Sequence, residues 1–287
     1  MGLVRRSLKN KIKSFHDDLK VLFCKKKDDI FEFPLRTMED RVVQKNSGDN
    51  FIIPPVVYQT WVNRQFGRSH ILGLEKFRSI NKDLSFYIFD NDMLNDYMKI
   101  HWGDHEIYNV FINSKFSAMK ADIFRYCILY ERGGYYFDIN KGCSVPLRSL
   151  HMEIDTALLS FEANVTIVPP STNYIKNITL FNRLVLQWGF GFEKNHPLLS
   201  IVIKNICVYY KYFRGKIFDI PGHAILMFTG PGMLTKSLIE FIDLNMQVQC
   251  SFTGTDFNGN GYVMKGAHVR YRASPSYIKT RNSIIVD

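Results

Sequence analysis

The sequence predicts an α/β fold with a mainly parallel central sheet. Two observations support this prediction. Short apolar segments with the composition of strands alternate along the chain with segments of helical periodicity, which is the pattern of parallel sheets covered by helices. The 287 residues are 46% hydrophobic, which is enough to bury one sizeable core.

The predicted strands lie between residues 56 and 161. Four segments have the length and apolar character of strands: residues 56–61, 84–89, 135–140 and 157–161. The first is entered through Pro54-Pro55, and the third ends in polar residues. Ligands of open α/β sheets bind beyond the carboxyl ends of the strands, so we expect a site where the third strand ends.

Two helices carry clear start or stop signals. Asp90 or Asn91 is an N-cap for a short helix through Tyr97, and Ser117–Arg132 has helical periodicity. The second helix ends at Gly133-Gly134, where a left-handed C-terminal cap favours glycine.

The N-terminal segment is strongly basic. Residues 1–27 contain nine Lys or Arg residues against Asp17 and Asp18, which leaves +7 of the chain's formal charge of +10. Apolar residues in this segment recur every three or four positions, as on one face of a helix. We predict a basic amphipathic helix over 1–27, a linker over 28–50 and one domain over 51–287. The helix either lies on an anionic membrane surface or packs, solvated, on the domain.

Several classes of protein are not expected. The five cysteines form no C-x-x-C pair, which argues against a disulfide framework and a zinc site. No apolar run reaches the roughly 20 residues of a transmembrane helix. Nucleic-acid binding is not expected, because the aromatic residues of the basic segment follow its apolar stripe and form no stacking platform.

Residues 122–140 carry the chemistry. Residues two apart in a strand share a face, so Asp138 and Asn140 would present two side-chain oxygens together, which suits a hard cation such as Mg²⁺ or Mn²⁺. On the preceding helix Asp122 and Arg125 are three apart and share a face. Taken singly, the first pair is typical of a strand end or a turn, and the second of an ordinary helix salt bridge. Their joint occurrence favours a site.

The run Ala-Asp-x-x-Arg-Tyr-x-x-Leu-Tyr-x-x-Gly-Gly-x-Tyr-x-Asp-x-Asn over 121–140 resembles the sugar-binding region of the DXD-containing glycosyltransferases. That group, similar to glycosyltransferase family 32, includes initiating α-1,6-mannosyltransferases and bacterial capsular polysaccharide transferases. The segment 53–61, Ile-Pro-Pro-Val-Val-Tyr-Gln-Thr-Trp, is similar to the family's opening Ile-Pro-Lys-x-x-His-Gln-Thr-Trp strand, and Thr229-Gly230-Pro231 falls at an expected later place. The resemblance covers roughly residues 52–270.

The resemblance implies a GT-A fold, Rossmann-like and nucleotide-sugar-binding, and a retaining hexosyltransferase. It implies a site around Asp138 and Asn140 that holds Mn²⁺ or Mg²⁺, with His268 as a late metal ligand. The implied donor-binding residues are Gln59, Thr60, Trp61, Asp122, Arg125, Tyr126 and Arg270. Trp61 would flank the donor base. Asn140 departs from the usual carboxylate, which predicts weaker metal binding.

The expected partners are a UDP- or GDP-sugar donor, a glycan or lipid-linked acceptor and an anionic membrane surface. The expected role is polysaccharide or glycolipid synthesis, by a peripheral enzyme at the cytoplasmic face of the membrane. Two alternatives stay open: an effector-type transferase that glycosylates a protein, and a non-catalytic sugar- or membrane-binding relative with a degenerate DXD motif.

Overall fold

The computed structural model describes residues 34–44, 48–163, 183–244, 249–264 and 279–287. The predicted basic helix of residues 1–27 lies outside the described residues, as do His268 and Arg270. The described residues form a central sheet with helices on both faces.

Twelve strands are described, numbered in chain order: β1 (Arg36–Thr37), β2 (Val56–Thr60), β3 (Gln65–Phe66), β4 (Ser85–Phe89), β5 (Gly134–Phe137), β6 (Lys141–Cys143), β7 (Ala157–Phe161), β8 (Gly189–Phe192), β9 (Ile217–Phe218), β10 (Cys250–Thr255), β11 (Gly261–Val263) and β12 (Ser283–Ile284). Six of them form the central sheet, in the order β10-β7-β8-β5-β2-β4. Strand β8 runs antiparallel to its neighbours β5 and β7, and the other five strands share one direction. The predicted α/β class with a mainly parallel sheet is confirmed.

Seven α-helices of eight or more residues are described around this sheet: α1 (Arg68–Ile80), α2 (Asn91–Trp102), α3 (Glu106–Asn113), α4 (Ser117–Arg132), α5 (Pro197–Phe213), α6 (Pro221–Phe228) and α7 (Pro231–Asp243). Helix α1 packs on one face with the 3-10 helix Leu147–Leu150. Helices α2 to α7 pack on the other. Strands buried on both faces explain the nearly continuous apolar segments in the sequence.

Successive residues of the central strands enter opposite layers of the core. Tyr135 and Phe137 of β5 pack in the layer of α1, whereas Tyr136 packs in the layer of α4. Residues of opposite parity on this strand therefore belong to different faces of the sheet.

The junction between α4 and β5 forms where the sequence predicted it. Gly133 and Gly134 have φ values of +67° and +104°, which residues other than glycine rarely adopt. A Cβ atom on Gly134 would lie 2.5 Å from Cγ1 of Val56. At the other predicted helix start, a carboxylate oxygen of Asp90 accepts a 3.0 Å hydrogen bond from the Met93 amide, and α2 then continues to Trp102, beyond the predicted end at Tyr97.

The third predicted strand is shorter than expected. Strand β5 ends at Phe137, and the Lys141 amide donates to the Asp138 carbonyl over 2.8 Å, which closes a turn. Asp138 therefore begins a turn and Asn140 lies within it. The alternation of side chains along a strand, which predicted that these two residues share a face, does not apply to a turn.

The predicted linker of residues 28–50 needs a correction in its described part. Strand β1 (Arg36–Thr37) pairs antiparallel with β3 (Gln65–Phe66), and Met38 is buried in the core. Arg41 donates hydrogen bonds to carbonyl oxygens of Arg78, Asn81 and Leu84. The ordered domain thus begins before residue 51, because this segment covers the open edge of β4.

Within the described ranges, one segment is apolar and long enough to span a membrane by length and composition alone. It covers Pro221–Asp243 and has 72% of its most apolar window buried inside the protein. The segment consists of α6 and α7, which are separated at Thr229 and Gly230. Burial against the sheet accounts for its composition.

Candidate functional site

The carboxyl ends of the five parallel strands meet at one edge of the sheet. The residues that directly follow these strands are Trp61, Asp90, Asp138, Glu162 and Asp256. Asp90 caps α2, and the others carry an aromatic ring or a carboxylate to the edge where α/β sheets bind ligands.

Arg125 forms the base of the site. Its Nη2 atom lies 3.2 Å from Oδ1 of Asp122 and 3.1 Å from Oδ1 of Asp138. Its Nη1 atom donates to the carbonyl oxygen of Gln187 over 2.9 Å, and its guanidinium lies 4.4 Å from the centre of the Tyr136 ring. The planar, multiply bonded guanidinium fixes the two carboxylates relative to each other.

Asp122 is held from its other side by the loop between α6 and α7. The hydroxyl of Thr229 donates to Oδ2 of Asp122 over 2.9 Å. Burial raises the pKa of Asp122 to about 6, although Arg125 and Thr229 oppose the shift. The predicted Thr229-Gly230-Pro231 motif thus reaches the site through Asp122.

The three charged side chains differ in their exposure to solvent. The side chains of Arg125 and Asp122 are 6% and 8% exposed, whereas that of Asp138 is 32% exposed. Burial alone would lower the pKa of Arg125, but Tyr136, Asp138 and Asp122 around it raise that pKa overall. Of the three, Asp138 is the most exposed, and Arg125 holds its carboxylate in place at the sheet edge.

This geometry modifies the expectation for Arg125. The resemblance implied direct donor binding, but the buried guanidinium already bonds to Asp122, Asp138 and the Gln187 carbonyl. We assign Arg125 a positioning role beneath Asp138.

Tyr126 requires a correction. Its side chain is fully buried, stacks on Phe190 and donates from its hydroxyl to the carbonyl oxygen of Thr229 over 3.1 Å. The Gln187 amide donates to the same hydroxyl over 2.7 Å. Tyr126 faces the core because it lies one residue, or about 100°, around the helix from Arg125. It supports the Thr229 loop from within the core.

The three predicted donor-binding residues at the carboxyl end of β2 and just after it lie in three different environments. The amide of Gln59 is completely buried, and neither its nitrogen nor its oxygen has a hydrogen-bond partner among the described residues. The Thr60 hydroxyl lies 2.9 Å from the Tyr136 hydroxyl, next to the Arg125 network. Trp61 is half-buried and stacks on Phe66, with ring centres 6.5 Å apart and 21° between planes.

The turn after β5 carries Asp138 and Asn140, whose side-chain oxygens are of the kind that binds hard cations. Oδ1 of Asn140 is buried without a hydrogen-bond partner among the described residues, and the Asn140 carbonyl accepts from the Met264 amide over 2.8 Å. A carboxylate and an orphaned amide oxygen are suitable for Mg²⁺ or Mn²⁺. Within the described ranges, however, no group of three His, Cys, Asp or Glu side chains surrounds a common point. The predicted contribution of His268 stays a prediction.

Glu162 and Asp256 belong to the same edge and were missed from the sequence. Burial, together with Asp256 and Asp138, raises the pKa of Glu162 to about 7, while Lys141 opposes the shift. The ammonium of Lys141 lies 4.9 Å from the centre of the Trp188 ring. The signal that could have identified Glu162 is its position, since it directly follows a predicted parallel strand as Asp138 follows another.

The loop after β10 is strained. Asp256, Phe257 and Asn258 have φ values of 44°, 55° and 57°. The ring of Phe257 stacks on Phe137 at 5.6 Å, and its amide donates to the Ser160 hydroxyl over 2.8 Å. Packing in the core therefore maintains a conformation that costs free energy, as is common next to ligand sites.

Comparison with known proteins agrees with the sequence resemblance. Residues 67–157 match the family described as "Glycosyltransferase sugar-binding region containing DXD motif". This range contains Asp122, Arg125, Asp138 and Asn140. The resemblance to the DXD-containing glycosyltransferases is confirmed.

Curated relatives carry related names at low identity. The chain is 24% identical over 161 residues to inositol phosphoceramide mannosyltransferase 3 of Schizosaccharomyces pombe, covering 56% of this chain and 39% of the relative. It is 22% identical over 204 residues to the initiation-specific alpha-1,6-mannosyltransferase of the same organism, covering 67% and 49%. The chain thus spans less than half the length of either relative.

A solved structure is also similar. The PaToxG glycosyltransferase aligns with 82% of this chain and 78% of its own, at 14% identity and a TM-score of 0.49.

Proposed function

We propose that this chain is a retaining glycosyltransferase that moves a hexose from a nucleotide-sugar donor to a glycan or lipid-linked acceptor. One observation carries the proposal. Asp138 follows a parallel strand at the carboxyl edge of the sheet and is fixed from below by Arg125. Both residues lie within the range that matches the sugar-binding region.

In the proposed reaction the bond between the anomeric carbon and the donor diphosphate breaks, and the diphosphate departs with the bonding electrons. The acceptor hydroxyl forms the new bond on the same face of the sugar and passes its proton to the oxygen of the departing diphosphate. Asp138 binds and orients the donor. Arg125 and Asp122 keep the Asp138 carboxylate fixed, so that less conformational entropy is lost when the transition state forms. No nucleophile is assigned.

A divalent cation fits the proposed site through Asp138 and Asn140, although weakly. When bound, it would neutralise charge that develops on the leaving diphosphate. Because Asn140 contributes a neutral oxygen, one formal charge is missing compared with a pair of carboxylates. Lys141, which follows Asn140, supplies a fixed positive charge at the same turn.

The membrane part of the proposal rests on the N-terminal sequence. The +7 charge and apolar stripe of residues 1–27 favour an anionic membrane surface, where a lipid-linked acceptor would be within reach. Deleting residues 1–27 should release the protein from anionic vesicles but leave its donor binding unchanged. Retained vesicle binding would move the membrane contact elsewhere.

The donor proposal is tested with a thermal-shift panel of UDP-, GDP- and CMP-sugars, each with and without Mn²⁺. A ligand that binds the native state at 100 times its Kd adds about 2.7 kcal/mol of apparent stability. A UDP- or GDP-sugar should raise Tm more in the presence of Mn²⁺. No shift with any donor at millimolar concentration would contradict the proposal.

The neutral Asn140 favours one alternative, a sugar-binding relative without turnover. Such a protein would bind the donor but release no free nucleoside diphosphate from it. Measuring donor hydrolysis after the binding panel separates this alternative from the transferase.

A further inference from the structure

We infer that His70 is a positioning residue that joins the two halves of the proposed donor site: Trp61, and the turn that carries Asp138 and Asn140. The inference rests on the proposed function, because it assigns Trp61 to the donor base and the turn to the diphosphate.

His70 lies in the first turn of α1 and is 2% exposed. Its Nε2 atom is 2.8 Å from the carbonyl oxygen of Ile139, the residue between Asp138 and Asn140. A carbonyl oxygen only accepts hydrogen bonds, so Nε2 carries the proton that it donates.

The ring of the same histidine packs against the aromatic half of the site. It meets Trp61 edge to face at 6.1 Å and 84°, and Phe66 at 5.1 Å and 80°. Phe66 is fully buried and stacks on Trp61 from another side. Edge-to-face contacts of this kind favour one orientation of the tryptophan ring.

The contact bridges a place where the sheet itself gives no support. Strands β2 and β5 are paired at Val57 with Tyr135 and at Tyr58 with Tyr136. Trp61 and Ile139 lie beyond these pairs and beyond the ends of both strands, and within the described part of the chain no backbone hydrogen bond joins the two residues. His70 supplies that connection through one side chain.

Phe66, which packs against both Trp61 and His70, is itself held in place by its own strand. Phe66 belongs to β3, which pairs with β1, and the neighbouring Arg64 bonds to Asp40 over 2.7 Å. His70 therefore packs against a fixed partner, and its bond to Ile139 sets the position of the turn relative to Trp61.

The two contacts of His70 can be removed separately. His70→Phe keeps an aromatic ring beside Trp61 but cannot donate to Ile139. His70→Gln keeps an amide donor but loses the ring. His223→Phe changes an exposed histidine on α6 and is the control.

The measurements are titrations with UMP and GMP, which report base binding, and Mn²⁺ titrations in the presence of UDP or GDP. His70→Phe should keep nucleoside monophosphate affinity within about twofold and raise the half-saturating Mn²⁺ concentration about five- to tenfold. His70→Gln should weaken monophosphate binding about fivefold and leave the Mn²⁺ requirement near that of the wild type. His223→Phe should change neither.

Equal changes in both variants, or no change in either folded variant, would overturn the role of His70. Should His70→Phe fail to fold, Phe66→Leu provides the second route, and an unchanged monophosphate affinity in that variant would overturn the role equally. A wild-type protein that binds neither nucleotide would instead remove the proposed function, and this inference with it.

Discussion

Nη2 of Arg125 lies 3.1 Å from Oδ1 of Asp138, so a buried helix residue holds the partly exposed carboxylate at the end of a strand. The same nitrogen contacts Asp122, whose other oxygen accepts from Thr229. The arrangement therefore couples α4, β5 and the loop before α7 at a single guanidinium.

Arg125→Lys should disable the site while keeping its charge. A lysine ammonium is a single point and cannot bond at once to both carboxylates and the Gln187 carbonyl. We expect donor turnover to fall on the order of 100-fold, the effect of a misplacement of about 1 Å, and stability to fall by about 1–3 kcal/mol. Donor hydrolysis and urea unfolding at pH 7 measure the two effects.

The matched control is Arg132→Lys, an exposed arginine at the end of the same helix. It should leave both quantities near the wild type. If Arg125→Lys turns over donor as fast as Arg132→Lys, the guanidinium fork has no part in positioning Asp138.

Trp61→Ala should weaken nucleotide binding by about 1–3 kcal/mol, the range for base–aromatic stacking. Trp61→Phe retains a ring and should recover most of that loss. Isothermal titration with the nucleoside diphosphate measures both variants. Lowered stability with unchanged affinity in Trp61→Ala would show that the ring is part of the core only.

Asn140→Asp should strengthen metal binding. Its buried Oδ1 has no hydrogen-bond partner among the described residues, and a carboxylate there adds a charge. The attraction is about 1 kcal/mol at 4 Å in water and about 4 kcal/mol at an effective dielectric of 20. Desolvation offsets part of it, so we expect the half-saturating Mn²⁺ concentration to fall roughly fivefold, about 1 kcal/mol.

Asn95→Asp, on the exposed face of α2, adds the same charge away from the turn and should leave Mn²⁺ binding unaltered. An identical Mn²⁺ requirement in Asn140→Asp and the wild type would exclude Asn140 as a ligand.

Patterns among neighbouring residues predicted the helix and the glycine cap that precede the strand leading to Asp138. Helix Ser117–Arg132 begins and ends where periodicity and Gly133-Gly134 placed it, because a helix and its cap depend on neighbouring residues. The position of Asp122 and Arg125 on one face follows from the same local geometry. The short turn at Asp138 was not predicted, because the apolar alternation continues through Ile139 after the strand has ended.

Long-range order explains what the sequence did not reveal. Glu162 and Asp256 approach Asp138 because β7 and β10 lie in one sheet with β5, in an order that no local pattern encodes. His70 looked like an ordinary helix residue until the fold placed it against Ile139. Tyr126 was included with Arg125 by resemblance, although one helical step turns it into the core.

Glu162→Gln should alter the pH dependence of stability. The pKa of Glu162 rises from 4.5 to about 7 on folding, so the protonated form favours the native state. Its contribution is fully present below pH 4.5 and is lost as the pH rises through 7. Glutamine does not ionise, so Glu162→Gln should gain stability relative to the wild type between pH 5 and 8, by about 2 kcal/mol after partial solvent screening.

Urea unfolding at pH 5, 6, 7 and 8 measures this gain, with the exposed Glu75→Gln as the control. A difference between Glu162→Gln and the wild type that stays constant across this range would contradict the raised pKa.

The central claim is that Asp138 presents the donor to the reaction, and donor turnover by Asp138→Asn tests it most directly. Release of nucleoside diphosphate is measured with the donor and Mn²⁺ that stabilise the wild type, alongside the exposed control Asp96→Asn. We expect Asp138→Asn to lose at least about 100-fold in rate while unfolding at a Tm near that of the wild type, because its side chain is partly exposed. Wild-type turnover by a folded Asp138→Asn protein would contradict the account.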